Sequence, residues 1–350
     1  MALRDLGHDV AISAFAGCHE EREWQGFPIM GVGSVAHGNG AIAGNYARWK
    51  ADLLVTLTDT WVMLPYQFAG LTVLPWVPID CDPLSVMDTM WLAEVAKIAD
   101  LHPVAMSAHG SRVLAGAGWG EVPVVPHAAG PAFHPGLDRS VWRRENGVPA
   151  GTFLVAKIGV NNEDDRKAFD VSMQAFAALV ARHPGKVALY LHTEAQPHKG
   201  PNLARMALNL GLKHHVKFAD GYRRSADLYP ATEMASMLAG ADMADVVSRG
   251  EGYGVPAAEA LACGTPVTGC RNSAMTEKIS AGWGWLAGGQ REWIRHHQSW
   301  WVTPSVAEVA RAYEAAYAGA RRMRGAAAKA GAGMGAAAMG AAWERVLAGL

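Results

Sequence analysis

Apolar residues are gathered into short unbroken runs separated by stretches in which they recur at helical spacing. Leu53–Leu57, the segment LTVLPWV, the segments GTFLVAKIGV and KVALYLHTEA, Val216–Phe218 and Thr265–Thr268 read as buried strands, because such runs are bounded by turn residues. Between them, Phe169, Met173, Phe176, Ala177 and Val180 lie on one helical face, with Asp164 and Asp165 suited to the helix start and Gly211 ending a second helix. The opening residues ALRDLGHDVAISAF read as the end of a helix stopped at Gly7, then a strand with Val10, Ile12 and Ala14 as its apolar positions. PVAMSAHGSRVLAGAGW gives a strand, a Ser/His turn and a helix, and VPVVPHAAGPAFHP a last strand and crossover loop. From Pro304 the pattern is helical until GAAAKAGAGMGAAAMGAA, a low-complexity stretch whose glycines weaken a helix, and AAWERVLAGL reads as a terminal helix.

One stretch departs from simple periodicity. In Ser248–Val267, SRGEGYGVPAAEALACGTPV, Val246 and Val247 end an apolar segment, and Gly252 and Gly254 permit backbone angles closed to other residues. Pro256 suits a first helical turn, so a helix begins near Val255 and stops at Gly264. A helix start aimed out of a glycine turn presents free N–H groups and partial positive charge, which suits phosphate. Glu251 in the loop and Glu259, expected in the first turn, are then placed to face one ligand. The same residues also suit a capping carboxylate and a solvated loop glutamate.

Composition narrows the class without naming it. The 350 residues, half of them apolar, suffice for two cores, and a net charge of −1 argues against a strongly basic nucleic-acid surface. Cys18, Cys81, Cys263 and Cys270 have no C-x-x-C spacing, which suits a reducing compartment and offers no zinc site. The start has no apolar run of signal-peptide length, and no segment approaches the roughly 20 apolar residues of a membrane span. A cytoplasmic protein without a membrane span is expected.

The order Glu251, Gly252, Tyr253, Gly254, followed by Glu-Ala-x-Ala-x-Gly-x-Pro-Val from Glu259 to Val267, resembles the retaining nucleotide-sugar glycosyltransferases of family 4. The resemblance implies an α/β GT-B fold, two Rossmann-like domains facing across a cleft. The expected boundaries are an acceptor-side domain over 1–135, a donor-binding domain over 136–325, and an Ala/Gly-rich segment with a terminal helix crossing back over 326–350. The family's first strand and glycine-bearing loop come before the segment that opens this chain and are not found here, so the first domain is expected either to begin upstream or to fill the gap with another segment, and the donor contacts of that loop stay open in both cases. The implied reaction moves a sugar from a nucleoside diphosphate donor to an unidentified hydroxyl acceptor, which is a glycan, a small molecule or a modified nucleic acid. No cofactor and no metal are implied, and the D-x-D of Asp80-Cys81-Asp82 reads as a proline-flanked loop.

The resemblance also assigns residues. Glu251 would bind the donor sugar hydroxyls, Glu259 the ribose, and the backbone of Gly252, Tyr253, Gly254 and Val255 the diphosphate. Lys167 stands where the family has a phosphate-binding lysine, with a solvated lysine as the other reading. Asn162 replaces the family's usual arginine, so that either Arg166 supplies the second cation or the diphosphate is held with one cation fewer. Asp59, after a strand end, is the candidate acceptor-side base or orienter, or else a turn-capping aspartate. His109 and His127 are acceptor-side candidates, or else structural histidines. Ala219–Arg223, expected near the base, is too plain to separate uracil from guanine. Trp283, Trp285, Trp293, Trp300 and Trp301, interleaved with Arg291, Arg295, His296 and His297, read first as core packing. Their mixture with basic residues also suits a hydroxymethylated DNA base as acceptor. A GT-B sugar-nucleotide epimerase and a non-catalytic sugar-nucleotide-binding protein are the remaining alternatives.

Overall fold

The computed structural model describes residues 2–15, 18–32 and 36–350. The chain forms two compact units. One comprises Met1–Pro126, Trp293–Trp300 and Ala337–Leu350; the other comprises His127–Glu292 and Trp301–Ala336.

In the first unit, β1 (Ile12–Ser13), β2 (Arg22–Trp24) and β3 (Phe27–Met30) form a sheet in the order β1-β3-β2. A second, parallel set is built on β5 (Thr72–Val77), which pairs with β4 (Leu54–Thr56) and, successively along its length, with β6 (Asp100–Leu101) and β7 (Val104–Ala105). β5 is buried from Val73 to Val77, as its apolar run requires, and packs with Phe68, Leu92 and Val95. β4 has β5 as its one strand neighbour among the described residues, and Leu57 just beyond it is 56% exposed. The run Leu53–Leu57 is therefore an edge strand, half-buried where the apolar pattern predicts full burial. Trp343, in the terminal helix Ala336–Leu347, meets Trp76 edge to face with centroids 5.4 Å apart.

The second unit is a six-stranded parallel sheet of β8 (Phe153–Ile158), β9 (Val187–His192), β10 (Val216–Phe218), β11 (Met243–Asp245), β12 (Val267–Cys270) and β13 (Gly284–Ala287). Its order is β10-β9-β8-β11-β12-β13. The chain winds outward in one direction from β8 and in the other from β11. The loops leaving these two neighbours therefore diverge and open a crevice at the carboxyl edge, where open α/β sheets hold ligands.

Two element boundaries depart from the apolar pattern. The helix expected to start at Asp164 and Asp165 runs from Phe169 to Arg182. Asp165 and Ala168 have positive φ (44° and 48°), and the Asp165 carboxylate accepts from the Phe169 N–H at 3.2 Å, so 162–168 is a loop and the aspartate caps its end. The stretch expected to weaken as a helix stays helical through Gly325 and Gly331 to the end of Val306–Ala332, and breaks as expected at 333–335, between its glycines, before the helix Ala336–Leu347. A side chain at Gly331 would collide with the backbone of Leu261 and Ala262, so the absent Cβ is what lets this helix lie against the helix Val255–Ala262. Burial of Tyr313, Ala316, Ala320 and Ala327 outweighs the intrinsic cost of about 1 kcal/mol per glycine. Among the described residues no helix is long and apolar enough to cross a membrane.

Candidate active site

Loops at the carboxyl edge of β8, β11 and β12 build one cluster in the second unit. The loop after β8 carries Arg166 and Lys167; the loop after β11 carries Glu251. Lys167 Nζ lies 2.5 Å from Glu251 Oε1, and Arg166 Nη1 lies 3.7 Å from Oε2 while donating to the Gly250 carbonyl at 2.7 Å. Ser248 Oγ donates to the Gly250 and Arg166 carbonyls, each at 2.9 Å, tying the two loops together. From the loop after β12, Ser273 Oγ accepts from the Glu251 N–H at 3.0 Å. Burial would raise the pKa of Glu251, but the charges of Lys167 and Arg166 prevail and hold it below the usual carboxylate value. Glu251 is thus ionised at neutral pH, with cations on one side.

Beneath this cluster lies a buried polar group that the apolar pattern did not disclose as functional. Lys157 in β8 and Asp245 in β11 are register partners, with Lys157 Nζ 3.3 Å from Asp245 Oδ2 and donating to the Val247 carbonyl at 2.7 Å. Asp245 Oδ1 accepts from the Val247 N–H at 2.8 Å, and Oδ2 accepts from Tyr313 Oη at 2.7 Å. Both backbone groups of Val247 are fixed in this way, which sets the direction in which the chain leaves the sheet toward Glu251. The signal was present in the sequence as charged residues inside two apolar strands, where a charge is retained only with partners.

Past Glu251 the chain turns through Gly252, Tyr253 and Gly254 into the helix Val255–Ala262. Gly254 has φ 84°, and the Met275 side chain fills the place where its Cβ would stand, so glycine is required there twice over. The helix has no side-chain N-cap. The N–H groups of Gly252, Tyr253, Gly254 and Val255 make no hydrogen bond to other described residues, although Glu251 through Gly254 are buried. Such consecutive N–H groups, left unpaired in a glycine turn at a helix start, form a concave anion site. Tyr253 borders it: its hydroxyl donates to the His127 carbonyl at 2.6 Å, its ring meets the His127 ring at 5.3 Å, and the Lys278 ammonium sits 3.4 Å from its centroid.

Among the other expected site residues, Glu259 lies one turn into the helix rather than in its first turn, because the helix begins at Val255. Burial pushes its carboxyl up to about 7. Asn162 is in the same loop as Lys167, with its carbonyl accepting from the Asp165 N–H at 3.2 Å. Asp59 and His109 belong to the first unit, Asp59 exposed beyond β4 and His109 buried in the helix Ala108–Leu114. His127, expected with them on the acceptor side, belongs instead to the second unit beside Tyr253. The segment after Pro126 is held there by Tyr253 and by the Ala129 N–H donating to the Met334 carbonyl at 2.9 Å. The tryptophans are divided: Trp293 and Trp300 lie in the first unit, and Trp283, Trp285 and Trp301 in the second. Asp80 and Asp82 flank Cys81, whose thiol burial pushes up to about 12.

Residues 153–318, which carry this cluster, match the family described as glycosyl transferases group 1. Over these residues, just under half of its length, the chain matches that family. D-inositol 3-phosphate glycosyltransferase of Corynebacterium jeikeium is 31% identical over 165 residues, covering 45% of this chain and 37% of the relative. The Nocardia farcinica enzyme of the same name is 33% identical over 159 residues, 44% of this chain and 33% of its own length. The chain therefore matches little more than a third of these relatives. Likeness of fold extends further. Sucrose-phosphate synthase from Thermosynechococcus elongatus superposes with a TM-score of 0.72 at 17% identity, covering 100% of this chain and 92% of its own. WaaG, a glycosyltransferase involved in lipopolysaccharide biosynthesis, gives 0.67 at 15% identity, covering 94% and 87%. Anabaena HepE, solved with UDP and glucose, gives 0.65 at 16% identity, covering 88% and 81%. The chain has the GT-B fold, with two parallel-sheet Rossmann-like domains.

Proposed function

We propose that this protein is a retaining glycosyltransferase that moves a sugar from a nucleoside diphosphate sugar to a hydroxyl acceptor. The observation that carries the reading is the run of N–H groups from Gly252 to Val255, without a partner among the described residues, beside an ionised Glu251 at the crevice between β8 and β11. The N–H groups suit the donor diphosphate and Glu251 the hydroxyls of its sugar. Lys167 suits the charge that grows on the leaving diphosphate as the glycosidic bond breaks, and Arg166 adds a second cation beside it. Glu259 is assigned to the ribose hydroxyls. On the acceptor side Asp59 remains the candidate base or orienter and His109 a candidate contact, both in the first unit.

The chemistry balances without a strong general base. The bond from the anomeric carbon to the phosphate oxygen breaks, the acceptor oxygen bonds to that carbon on the same face, and the acceptor proton passes to the departing phosphate oxygen. Relatives in fold solved with UDP support a nucleoside diphosphate as the donor's leaving group. The reading assigns no metal to any step.

A thermal-shift screen over uridine, guanosine, adenosine and thymidine diphosphate sugars tests the donor, since a ligand that binds the folded state at a hundredfold excess over its Kd adds about 2.7 kcal/mol of stability. One nucleotide class is expected to raise Tm. With that donor, Lys167→Met should lower turnover by about 10²–10³-fold, and Glu251→Ala should abolish donor hydrolysis. No shift with any donor would overturn the reading, and an epimerised sugar nucleotide formed from donor alone would replace it with the epimerase alternative.

A further inference from the structure

Lys278 stands beside the 252–255 turn, and the reading above leaves it without work. Its helix, Met275–Lys278, is short and lies at the carboxyl edge of β12. The backbone is pinned: the Lys278 carbonyl accepts from Trp283 Nε1 at 2.9 Å. The side-chain stem runs along the turn, with Cδ 3.9 Å from the position a Cβ on Gly254 would take. The ammonium ends 3.4 Å from the centroid of the Tyr253 ring, and that ring cannot swing away because its hydroxyl is bound to the His127 carbonyl. The residue is 6% exposed, yet among the described residues its ammonium makes neither an ion pair nor a hydrogen bond.

A buried charge is normally paired, because removing an ammonium from water costs several kcal/mol that a ring face only partly offsets. The nearby carboxylates do not meet the need. Glu251 is committed to Lys167 at 2.5 Å, and Glu277 is exposed on the outer side of the same short helix. Across the ring stands His127, whose pKa is lowered to about 4 by burial and then by Lys278 itself, so it is neutral and brings no negative charge. Among the described residues, an ammonium without an anion thus sits on the ring of Tyr253, in the same turn whose N–H donors have no acceptor. Both lack the same thing, an anion with several acceptor oxygens.

We infer that Lys278 is a diphosphate-binding residue, its ammonium donating to a phosphate oxygen of the nucleotide-sugar donor held on the Gly252–Val255 N–H groups. The inference rests on the donor reading above and adds to it the residue that neutralises the phosphate on the Tyr253 side. Tyr253 then has a defined part as the platform that holds the ammonium in place.

Inorganic pyrophosphate, which needs no knowledge of base or sugar, is the probe. Its affinity is measured by calorimetry on the full chain as wild type, Lys278→Met, Lys278→Gln and Lys278→Arg, with Lys213→Met as a surface control. Loss of one charge-assisted hydrogen bond should weaken pyrophosphate by about ten- to a hundredfold in the Met and Gln variants. Lys278→Arg should recover most of that loss, which a purely structural role for the stem would not predict, and the Lys213 variant should bind as wild type. Folded Met and Gln variants with wild-type affinity would overturn the role of Lys278 and leave the donor reading intact. A wild-type protein indifferent both to pyrophosphate and to every nucleoside diphosphate would overturn the donor reading and this inference with it. If neither neutral variant folds, the Lys278 Nζ resonance of wild-type protein labelled with ¹⁵N-lysine decides: it must shift on adding pyrophosphate, and an unmoved signal refutes the contact.

Discussion

Glu259 and His127 carry opposite pH dependences. Burial raises the Glu259 carboxyl from 4.5 to about 7, so the folded protein holds this proton more tightly than the unfolded chain does. Its contribution to stability is complete below pH 4.5 and is lost as pH rises through 7, by roughly 3 kcal/mol at about 1.4 kcal/mol per unit. Urea denaturation of wild type and Glu259→Gln at pH 5 and pH 8 should show the glutamine variant gaining on wild type by roughly 2–3 kcal/mol; a difference independent of pH would refute the shift. His127 has the reverse sign: burial and Lys278 lower it from 6.5 to about 4, so its contribution is present above pH 6.5 and is lost as pH falls toward 4. Glu251 and Lys167 were legible because their spacing repeats a family pattern. Lys278 was not, since nothing in its neighbouring residues marks it, and its burial against Tyr253 and Gly254 depends on a distant segment.

Glycines separate the two kinds of information at the scale of elements. Gly325 and Gly331 belong to one helix of 27 residues, and sequence alone gives each the same helix-weakening character. A Cβ at Gly325 meets nothing within 4 Å, whereas at Gly331 it would strike the backbone of Leu261 and Ala262. Gly325→Ala is therefore expected to stabilise the fold by about 0.5–1 kcal/mol. Gly331→Ala should destabilise it by about 1–3 kcal/mol, because the obstacle is backbone and cannot rotate away. Chemical denaturation of the two variants checks the contrast, and equal effects would refute the close approach. The interiors of strands and helices were read from apolar runs and spacing, while their ends were not. The helix start moved from Asp164 to Phe169 because left-handed residues at 165 and 168 keep the preceding segment a loop. That displacement frees Arg166 and Lys167 to reach Glu251.

In the whole molecule, the residues assigned to the donor all lie in the second unit, and Asp59 and His109 lie in the first. Binding and transfer should accordingly separate. Asp59→Asn and His109→Ala are expected to keep nucleoside diphosphate affinity within about twofold while lowering turnover, as for substitutions in separate units. A parallel loss of affinity in either variant would show that the donor site extends to the first unit. The sequence by itself determined the strand runs, the glycine turn before a helix, and the family pattern from Glu251 to Val267, because each is written in neighbouring residues. Only the tertiary structure decided that β8 and β11 are neighbours at the reversal of strand order, so that Lys167 and Glu251, 84 positions apart, meet at 2.5 Å. It alone decided that His127 stands beside Tyr253 and that Lys278 is buried with no anionic partner among the described residues. Strand order and burial depend on contacts between distant segments, and local residue patterns do not encode which distant segment will supply the partner.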